Sequence, residues 1–331
     1  MDFDVVVVGG GSAGYSAAST AQSLGARVAI IDPGPLGGLC ILRGCMPTKA
    51  ILRSSDIMAL MHRAEEFGLQ PVQAQAHLPA INDRKNKLIQ EFADYRIEQL
   101  NDSRFTLIQE RAEFISPHEI RVGNRTLKAK SFIIATGSVV ADFPIPGLQE
   151  TGFITSDDVL QMRQAPESII VLGAGAVAVE LAQFLLRIGV KTTLLQRSPH
   201  ILSQGDEDLA RPVEQRFRQE GMDLYTGTKI LRAAKEPEGS TLYFQHEGKE
   251  KRVQAQFILQ ALGRKPNIAG LHLESAGVEI ERGRIKVDAK MKTSQPHIFA
   301  VGDVNGIHEV VHIAIQQGEV AGFNATHPDN E

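Results

Sequence analysis

A glycine-rich turn between an apolar strand and a helix occurs twice in this chain, and the two copies are in register. The first strand, Val5-Val6-Val7-Val8, is a β-branched run of the kind buried in a parallel sheet. It ends in Gly9-Gly10-Gly11-Ser12-Ala13-Gly14. Ala17, Ala18 and Ala21 follow where a helix would press on the sheet, and a strand over 27–31 ends at Asp32. The second copy starts at Ile169-Ile170-Val171-Leu172 and turns through Gly173-Ala174-Gly175-Ala176-Val177-Ala178. A helix over 179–187 and a strand over 191–195 are predicted to follow. Asp32 and Gln196 each stand 23 residues after the first glycine of their turn. One such turn arises by chance in glycine-rich chains, whereas two at the same spacing predict two βαβ nucleotide-binding units.

A further echo closes each unit. Phe132-Ile133-Ile134-Ala135-Thr136-Gly137 and Phe257-Ile258-Leu259-Gln260-Ala261-Leu262-Gly263 are apolar strands that run into a glycine. A hairpin signal precedes each: Gly123-Asn124 in the first, Glu247-Gly248 in the second. The expected fold class is α/β, with two Rossmann-like βαβ nucleotide-binding domains, each with a small antiparallel meander, the second inserted into the first. Phe143-Pro144-Ile145-Pro146-Gly147 reads as a linker and Gly283 as the return crossing. The first domain is then discontinuous, over 1–148 and 283–331, and the inserted domain covers 149–282. The stretch 47–100 reads as mostly helical, with Leu88, Phe92, Tyr95 and Leu100 predicted to face a core.

Composition suits this plan. The chain has 331 residues, 43% hydrophobic and 22% charged, which is ordinary for two globular domains. A net charge of −4 gives no reason to expect a nucleic-acid partner. Basic stretches such as Arg282-Gly283-Arg284-Ile285-Lys286 read as solvated faces. There is no apolar run long enough for a membrane span. Met1-Asp2-Phe3-Asp4 lacks the features of a signal peptide, so a cytoplasmic location is expected.

The first turn carries the chemistry of a dinucleotide site. Gly9, Gly11 and Gly14 allow the tight turn, the backbone approach to a pyrophosphate and close helix packing, and the helix N-terminus favours phosphate. Asp32 stands where a carboxylate holds a ribose hydroxyl. The second turn differs: Ala178 replaces the third glycine, and Gln196-Arg197 stands in place of a carboxylate. Nothing there repels a 2′-phosphate, and Arg197 can pair with one, which favours NADPH over NADH. The alternative is that Arg197 is a solvent-facing loop residue.

The chain has two cysteines, Cys40 and Cys45, in Gly37-Gly38-Leu39-Cys40-Ile41-Leu42-Arg43-Gly44-Cys45-Met46-Pro47-Thr48-Lys49. Their spacing is a poor fit to one regular helix, while a turn through Gly44 can bring the sulfurs together. Pro47 suits the first turn of a helix, which would put Cys45 at its N-terminus, where a thiolate is stabilised. Lys49 adds positive charge one turn on. A zinc site would need two further ligands, and no other cysteine and no paired histidines lie beside this loop. His308 and His312 are four apart, a spacing that more often packs a helix than binds metal. Two inert thiols are the remaining alternative.

On these residues the chain resembles the class I FAD-dependent pyridine nucleotide–disulfide oxidoreductases, the family of glutathione reductase, dihydrolipoamide dehydrogenase and mercuric reductase. The resemblance covers essentially the whole chain, and the segment 37–49 is its most specific element. It implies an enzyme, an NAD(P)H:disulfide oxidoreductase that passes electrons through FAD to a Cys40–Cys45 disulfide and on to a disulfide or a metal ion. Cys40 would be the interchange thiol and Cys45 the thiol against the flavin. Lys49 would pair with Glu180 near the flavin. FAD would be held by Gly9, Gly11, Ser12, Ala13, Gly14, Asp32, Lys49, Ala112, Thr136, Gly137, Asp303 and the helix start that includes Ala314. The nicotinamide nucleotide, NADPH or NADH, would meet Gly173, Gly175, Val177, Ala178, Gln196, Arg197 and Gly263. Ala176 stands where several members carry a tyrosine over the nicotinamide pocket, which implies a less gated pocket. The family's C-terminal interface domain, which brings a His–Glu couple to the partner subunit's disulfide, is not expected within this chain. Nor is the C-terminal cysteine pair of mercuric reductase. A homodimer is expected only where that interface domain is present. Two alternatives follow: mercuric reductase-like activity, or an electron-transfer or redox-sensing module without disulfide turnover.

Overall fold

The structure, a computed structural model, describes residues 1–327. Residues 328–331, where the interface domain would be expected to begin, lie outside the described residues. The chain opens with β1 (Phe3–Val8), α1 (Ser12–Ser23), β2 (Val28–Ile31), α2 (Gly38–Leu42), α3 (Cys45–His62) and α4 (Leu78–Leu100). Next come β3 (Phe105–Ile108), β4 (Ala112–Ser116), β5 (Glu119–Val122), β6 (Arg125–Ile134) and β7 (Ser138–Val140). The middle holds α5 (Leu148–Thr151), α6 (Ser156–Gln161), β8 (Ser168–Leu172), α7 (Ala176–Arg187), β9 (Lys191–Leu195), α8 (Glu207–Gln219) and β10 (Asp223–Tyr225). It continues through β11 (Lys229–Glu236), β12 (Gly239–His246), β13 (Lys249–Ala255) and β14 (Phe257–Gln260). The last part adds β15 (Arg264–Pro266), β16 (Ile280–Glu281), β17 (Arg284–Ile285), β18 (Ile298–Ala300) and α9 (Val311–Thr326).

The described residues form two compact units. The first holds Met1–Gly44, Ile89–Val140 and the residues from Arg264 on; the second holds Cys45–Leu88 and Ala141–Gly263. These units divide the chain at 140/141 and 263/264, not at 148/149 and 282/283, and they group 45–88 with the second unit. Local pairing explains the later crossing. β15 pairs antiparallel with β7, and the Phe114 amide donates to the Leu271 carbonyl at 2.9 Å. Leu271, Leu273, Ala276 and Val278 are buried in the first unit's core.

In the first unit, the parallel strands run in the order β3-β2-β1-β6, with β18 beside β6. β6 serves two roles. Its first residues, Arg125 to Lys128, pair antiparallel with β5, and its later ones, Ala129 to Ile134, pair parallel with β1. The Rossmann layer therefore flows into the β4-β5-β6 meander without a break. Val5, Val6 and Val7 are fully buried. Each contributes about 2 kcal/mol by leaving water. α9 lies along α1, where Ala17 and Ala21 allow close packing and Ser16 Oγ donates to the Ile315 carbonyl at 3.0 Å.

The second unit repeats the plan. Its parallel sheet runs β10-β9-β8-β14, and β11-β12-β13 forms an antiparallel meander. The Glu247-Gly248 turn joins β12 to β13, with both residues at positive φ, as a tight two-residue hairpin requires. The fold is α/β with two Rossmann-like units, each with its own meander.

Three expectations change. α7 begins at Ala176, not 179, because Gly175 is its extended N-cap and the helix starts directly after it. Phe92 and Tyr95 do not face a core: they are 50% and 61% exposed. The buried positions of α4 are Leu78, Asn82, Lys85, Ala93 and Leu100, and two of these are polar, which hides the true stripe. Lys85 Nζ and Asn82 Nδ2 donate to the carbonyls of Leu160 and Met162, at the C-terminal end of α6. His308 precedes α9 and His312 lies in its first turn, and both are exposed, so the pair packs no helix face. No helix among the described residues is long and apolar enough to cross a membrane.

Candidate functional site

Each glycine-rich turn lies at the carboxyl end of its parallel sheet, between the first strand and first helix of a βαβ unit. That is where ligands bind in open α/β sheets. Gly9 and Gly173 pass over matching carbonyls at the end of the adjacent strand. A Cβ on Gly9 would lie 2.4 Å from the Ala135 oxygen, and one on Gly173 would lie 2.5 Å from the Ala261 oxygen. Both have positive φ, +109° and +95°. The repeat read from spacing is thus a repeat in space. Gly11 and Gly175 are the N-caps of α1 and α7. Ser12, Ala13 and Gly14 form the first turn of α1, and Val177 and Ala178 lie in that of α7. The first N–H groups of each helix have no intrahelical partner and face the turn.

The ends of the second strands differ as their residues do. Asp32 is half-buried; its Oδ2 accepts from the Gly10 amide at 2.7 Å and its Oδ1 from the Gly34 amide at 2.8 Å. The carboxylate is fixed beside the turn with lone pairs to spare for hydroxyl donors. At the matching place in the second unit, Gln196 is buried, and its carbonyl accepts from the Thr228 amide at 2.9 Å and the Thr228 hydroxyl at 3.0 Å. Arg197 is exposed. His200, three residues on, sits between Glu207 at 3.1 Å and Glu214 at 3.3 Å.

The cysteine segment breaks into two helices, as its spacing requires. Cys40 is half-buried in α2, Arg43 and Gly44 form the turn, and Cys45 is the exposed first residue of α3. Pro47 falls in the first turn, and that turn holds no acidic side chain to oppose a thiolate. One turn on, Lys49 Nζ donates to both oxygens of Glu180 in α7, at 2.6 and 2.8 Å. The helix that starts at Cys45 is thereby tied to the helix that starts at the second glycine turn.

The remaining predicted residues fall in the first unit, apart from Gly263. Ala112 opens β4 opposite Val122. Thr136 Oγ1 donates to the Asn267 carbonyl at 2.7 Å. Gly137, at φ +69°, has open space where a side chain would go. Gly263 ends the matching strand of the second unit at φ +138°. Asp303 lies in a short 3₁₀ turn after β18, and Ala314 is in the first turn of α9. Burial, followed by the neighbouring Asp303 carboxylate, holds the Glu309 carboxyl above its ordinary range, with Arg264 opposing.

Three supporting residues were not found from the sequence. Ser138 Oγ donates to Asp303 at 2.7 Å, and Arg264 Nε donates to Ser138 Oγ at 2.8 Å. Gln317 Oε1 accepts from the Gly302 amide at 2.7 Å, holding the turn that carries Asp303. A signal existed for two of them. Ser138 and Arg264 are the residues that directly follow Gly137 and Gly263, the glycines that end the matched strands. Among the described residues there is no group of three or more His, Cys, Asp or Glu side chains that could hold a metal ion.

Comparison with known proteins agrees with this geometry. The family model described as pyridine nucleotide-disulphide oxidoreductase matches residues 3–318. The mercuric reductase of Staphylococcus aureus is 32% identical over 326 residues, covering 98% of this chain and 60% of that protein. A dihydrolipoyl dehydrogenase of Thermus scotoductus is 34% identical over 333 residues, covering 98% of this chain and 70% of that protein. The solved Cu(II) complex of the HOCl-induced flavoprotein disulfide reductase RclA from Escherichia coli superposes with a TM-score of 0.85 at 26% identity. That match covers 99% of this chain and 72% of the other. The chain spans 52% to 60% of the length of the mercuric reductases it matches. Matched over nearly its whole length in both sequence and fold, this chain belongs to the pyridine nucleotide-disulphide oxidoreductase family.

Proposed function

We propose that this chain is the nucleotide-binding and dithiol part of a flavoprotein oxidoreductase that draws electrons from a reduced pyridine nucleotide, with NADPH favoured over NADH. The observation that carries the reading is the Lys49–Glu180 pair. Lys49 lies four residues into the helix that starts at Cys45, and Glu180 five residues after the N-cap Gly175. One helical turn, about 6 Å of rise, separates each from the start of its helix. The pair thus supports a nicotinamide turn and a reactive thiol held at a fixed spacing.

The residues of the first unit fit FAD. The Gly9–Gly14 turn with a helix start suits a pyrophosphate, Asp32 a ribose, and Gly137 and Asp303 the remaining length of the cofactor. The open space beside Gly137 is where a protein side chain would otherwise stand. When bound, FAD supplies a two-electron carrier between nicotinamide and dithiol. In the second unit Gln196 in place of a carboxylate, with Arg197 beside it, supports the NADPH preference.

The chain's own part in the chemistry is that of the sulfurs. Reduction of a Cys40–Cys45 disulfide takes two electrons and one proton, breaks the S–S bond and leaves one thiol and one thiolate. The start of α3 favours the thiolate on Cys45, and Cys40 is the sulfur left to attack an acceptor. A disulfide acceptor is the first reading. A metal-ion acceptor is the second, supported by the mercuric reductases among the relatives.

Anaerobic titration of the oxidised protein with NADPH tests the reading. The expected result is a long-wavelength thiolate–flavin absorbance band that Cys45→Ala abolishes. A Cys45→Ala spectrum that follows the wild type, with no such band in either, overturns it. Oxidation of NADPH and NADH in the presence of glutathione disulfide, lipoamide, mercuric ion or oxygen then separates the acceptors. Turnover of oxygen alone favours a module without disulfide turnover.

A further inference from the structure

Helix α8 buries Ala210, Glu214 and Phe217, which lie at helical spacing along one face. The middle position of such a stripe is ordinarily apolar, and here it carries a carboxylate that is 6% exposed. Burying a carboxylate is costly unless its oxygens are bonded. Glu214 Oε1 accepts from the Ile201 amide at 3.0 Å and lies 3.3 Å from His200 Nδ1. Its Oε2 lies 3.7 Å from Arg218 Nη1, one turn on in the same helix. His200 Nε2 lies 3.1 Å from Glu207, the first residue of α8. The buried carboxylate thus holds one short stretch of backbone, residues 200–201.

That stretch is the crown of an arch that follows β9. One foot is Gln196-Arg197, where the Thr228 amide donates to the Gln196 carbonyl at 2.9 Å and the Gly227 amide to the Ser198 carbonyl at 2.8 Å. The other foot is Leu202-Ser203. The Leu202 amide donates to the carbonyl of Ala174, inside the second glycine-rich turn, at 2.8 Å. Gln196 Nε2 donates to Ser203 Oγ at 3.4 Å, which joins the two feet. Leu202 has φ 49°, a left-handed conformation that a residue with a side chain keeps only under constraint. Its neighbour Ile201, the residue that Glu214 bonds, is fully buried. Arg197 and Ser203 are exposed, and no acidic residue lies between Gln196 and Gly205. A guanidinium and a hydroxyl on adjacent feet are donors that suit a phosphate monoester.

We propose that Glu214 is a positioning residue for nucleotide choice: by holding residues 200–201 it sets the Leu202-Ser203 foot beside Arg197, so that the arch fits the 2′-phosphate of NADP(H). This assignment rests on the reading of Gln196-Arg197 as the 2′-phosphate end of the nicotinamide nucleotide site. The hydrogen bond to the Ile201 amide carries the role, not the negative charge, which a phosphate would only feel as repulsion. An uncharged acceptor of the same shape should therefore serve as well. A residue that merely completed the packing of α8 could be exchanged for leucine with no effect on nucleotide choice.

Binding of NADP⁺ and NAD⁺ to the purified protein, measured by calorimetry, tests this without turnover. The wild type is expected to bind NADP⁺ more tightly than NAD⁺. Glu214→Leu, which suits the buried stripe but leaves the Ile201 amide without its acceptor, is expected to weaken NADP⁺ about tenfold and NAD⁺ by less than about twofold. Glu214→Gln keeps the acceptor and should hold the NADP⁺-to-NAD⁺ affinity ratio within about threefold of wild type. An unchanged ratio in Glu214→Leu overturns the proposal, whether both affinities hold or both fall together. So does a loss in Glu214→Gln as large as that in Glu214→Leu. Amide exchange in the wild type needs no variant to fold: at equal saturation, NADP⁺ should slow exchange in residues 200–203 more than NAD⁺ does, and equal protection overturns the proposal. Tighter binding of NAD⁺ by the wild type sinks the underlying reading and the proposal together, whereas a preference for NADP⁺ that survives Glu214→Leu sinks the proposal alone.

Discussion

A Cβ on Gly14 would lie 1.8 Å from the Gly9 carbonyl oxygen, a distance no side chain tolerates. The matching residue of the second unit, Ala178, carries a Cβ and is fully buried. The two turns therefore close differently, although they begin alike at Gly9 and Gly173. Gly14→Ala is expected to cost at least about 2 kcal/mol. It should also lower the flavin bound per chain, read as visible absorbance relative to protein. Ala178→Gly should cost only about 1 kcal/mol, the helix-propensity difference. Equal losses for the two substitutions would show that the turns do not differ as drawn. Gln196→Glu places a carboxylate where a 2′-phosphate would lie. The NADPH-to-NADH ratio of kcat/KM is expected to fall roughly tenfold, a change of about 1.4 kcal/mol. An unchanged ratio would remove Gln196 from cofactor choice.

Helices α3, α7 and α8 meet through one half-buried arginine. Arg187, at the end of α7, pairs with Asp56 of α3 and makes two hydrogen bonds to Glu220, the C-cap of α8, at 2.8 and 2.9 Å. Arg187 and Glu220 side chains are 13% and 11% exposed. Burial alone would raise the Glu220 carboxyl, but bonds from Arg187 and then Arg216 outweigh it and hold it below its ordinary 4.5. A carboxyl held low in the folded state stabilises the fold above its unfolded value and loses that contribution as pH falls through the folded one. Arg187→Met is expected to cost about 3 kcal/mol at neutral pH, because it leaves Glu220 short of a partner. The gap from wild type should shrink as denaturant unfolding is repeated on the acid side of 4.5. A constant gap would mean that lost packing, not charge, explains the cost. The β12–β13 hairpin offers a change of opposite sign. Glu247 has φ 52°, a conformation that strains an L residue by about 1 kcal/mol and that asparagine accepts more readily. Glu247→Asn should raise stability by several tenths of that amount or more, measured as a shift in thermal midpoint; a lower midpoint contradicts it.

At the scale of the whole molecule, each unit has its own apolar interior. The first unit's sheet is packed on both faces, with Phe114 and Phe132 on one side and Phe299 and Ala17 on the other. The second unit buries Phe184 and Phe217 on one side of its sheet and Phe244 with Leu242 on the other. A ligand stabilises what it binds by mass action, about 2.7 kcal/mol at a hundredfold excess over Kd. NADP⁺ is therefore expected to slow amide exchange most in peptides of β8, α7 and β9. Protection confined to β1 and α1 instead would reverse the assignment of the two nucleotides.

Spacing along the chain was enough for the two glycine turns, the Asp32 and Gln196 positions, the break between Cys40 and Cys45, and both hairpins. Each of these is local: a turn, a helix start or a strand end is decided within a few residues. The face of α4 was not legible, because Asn82 and Lys85 occupy buried positions and bind carbonyls at the end of α6, far away in sequence. The return at Arg264 was hidden for the same reason, since it depends on β7 and on the packing of Leu271 against strands more than a hundred residues earlier. Lys49–Glu180 was expected from the family resemblance and forms as expected, whereas Arg96–Tyr15 was not foreseen, for only the folded chain brings α4 to α1. The sequence by itself determined the two glycine-rich turns and the helix break between Cys40 and Cys45. The tertiary structure decided which side chains meet across the fold, as at Lys49–Glu180, because charge acts through space and not along the chain.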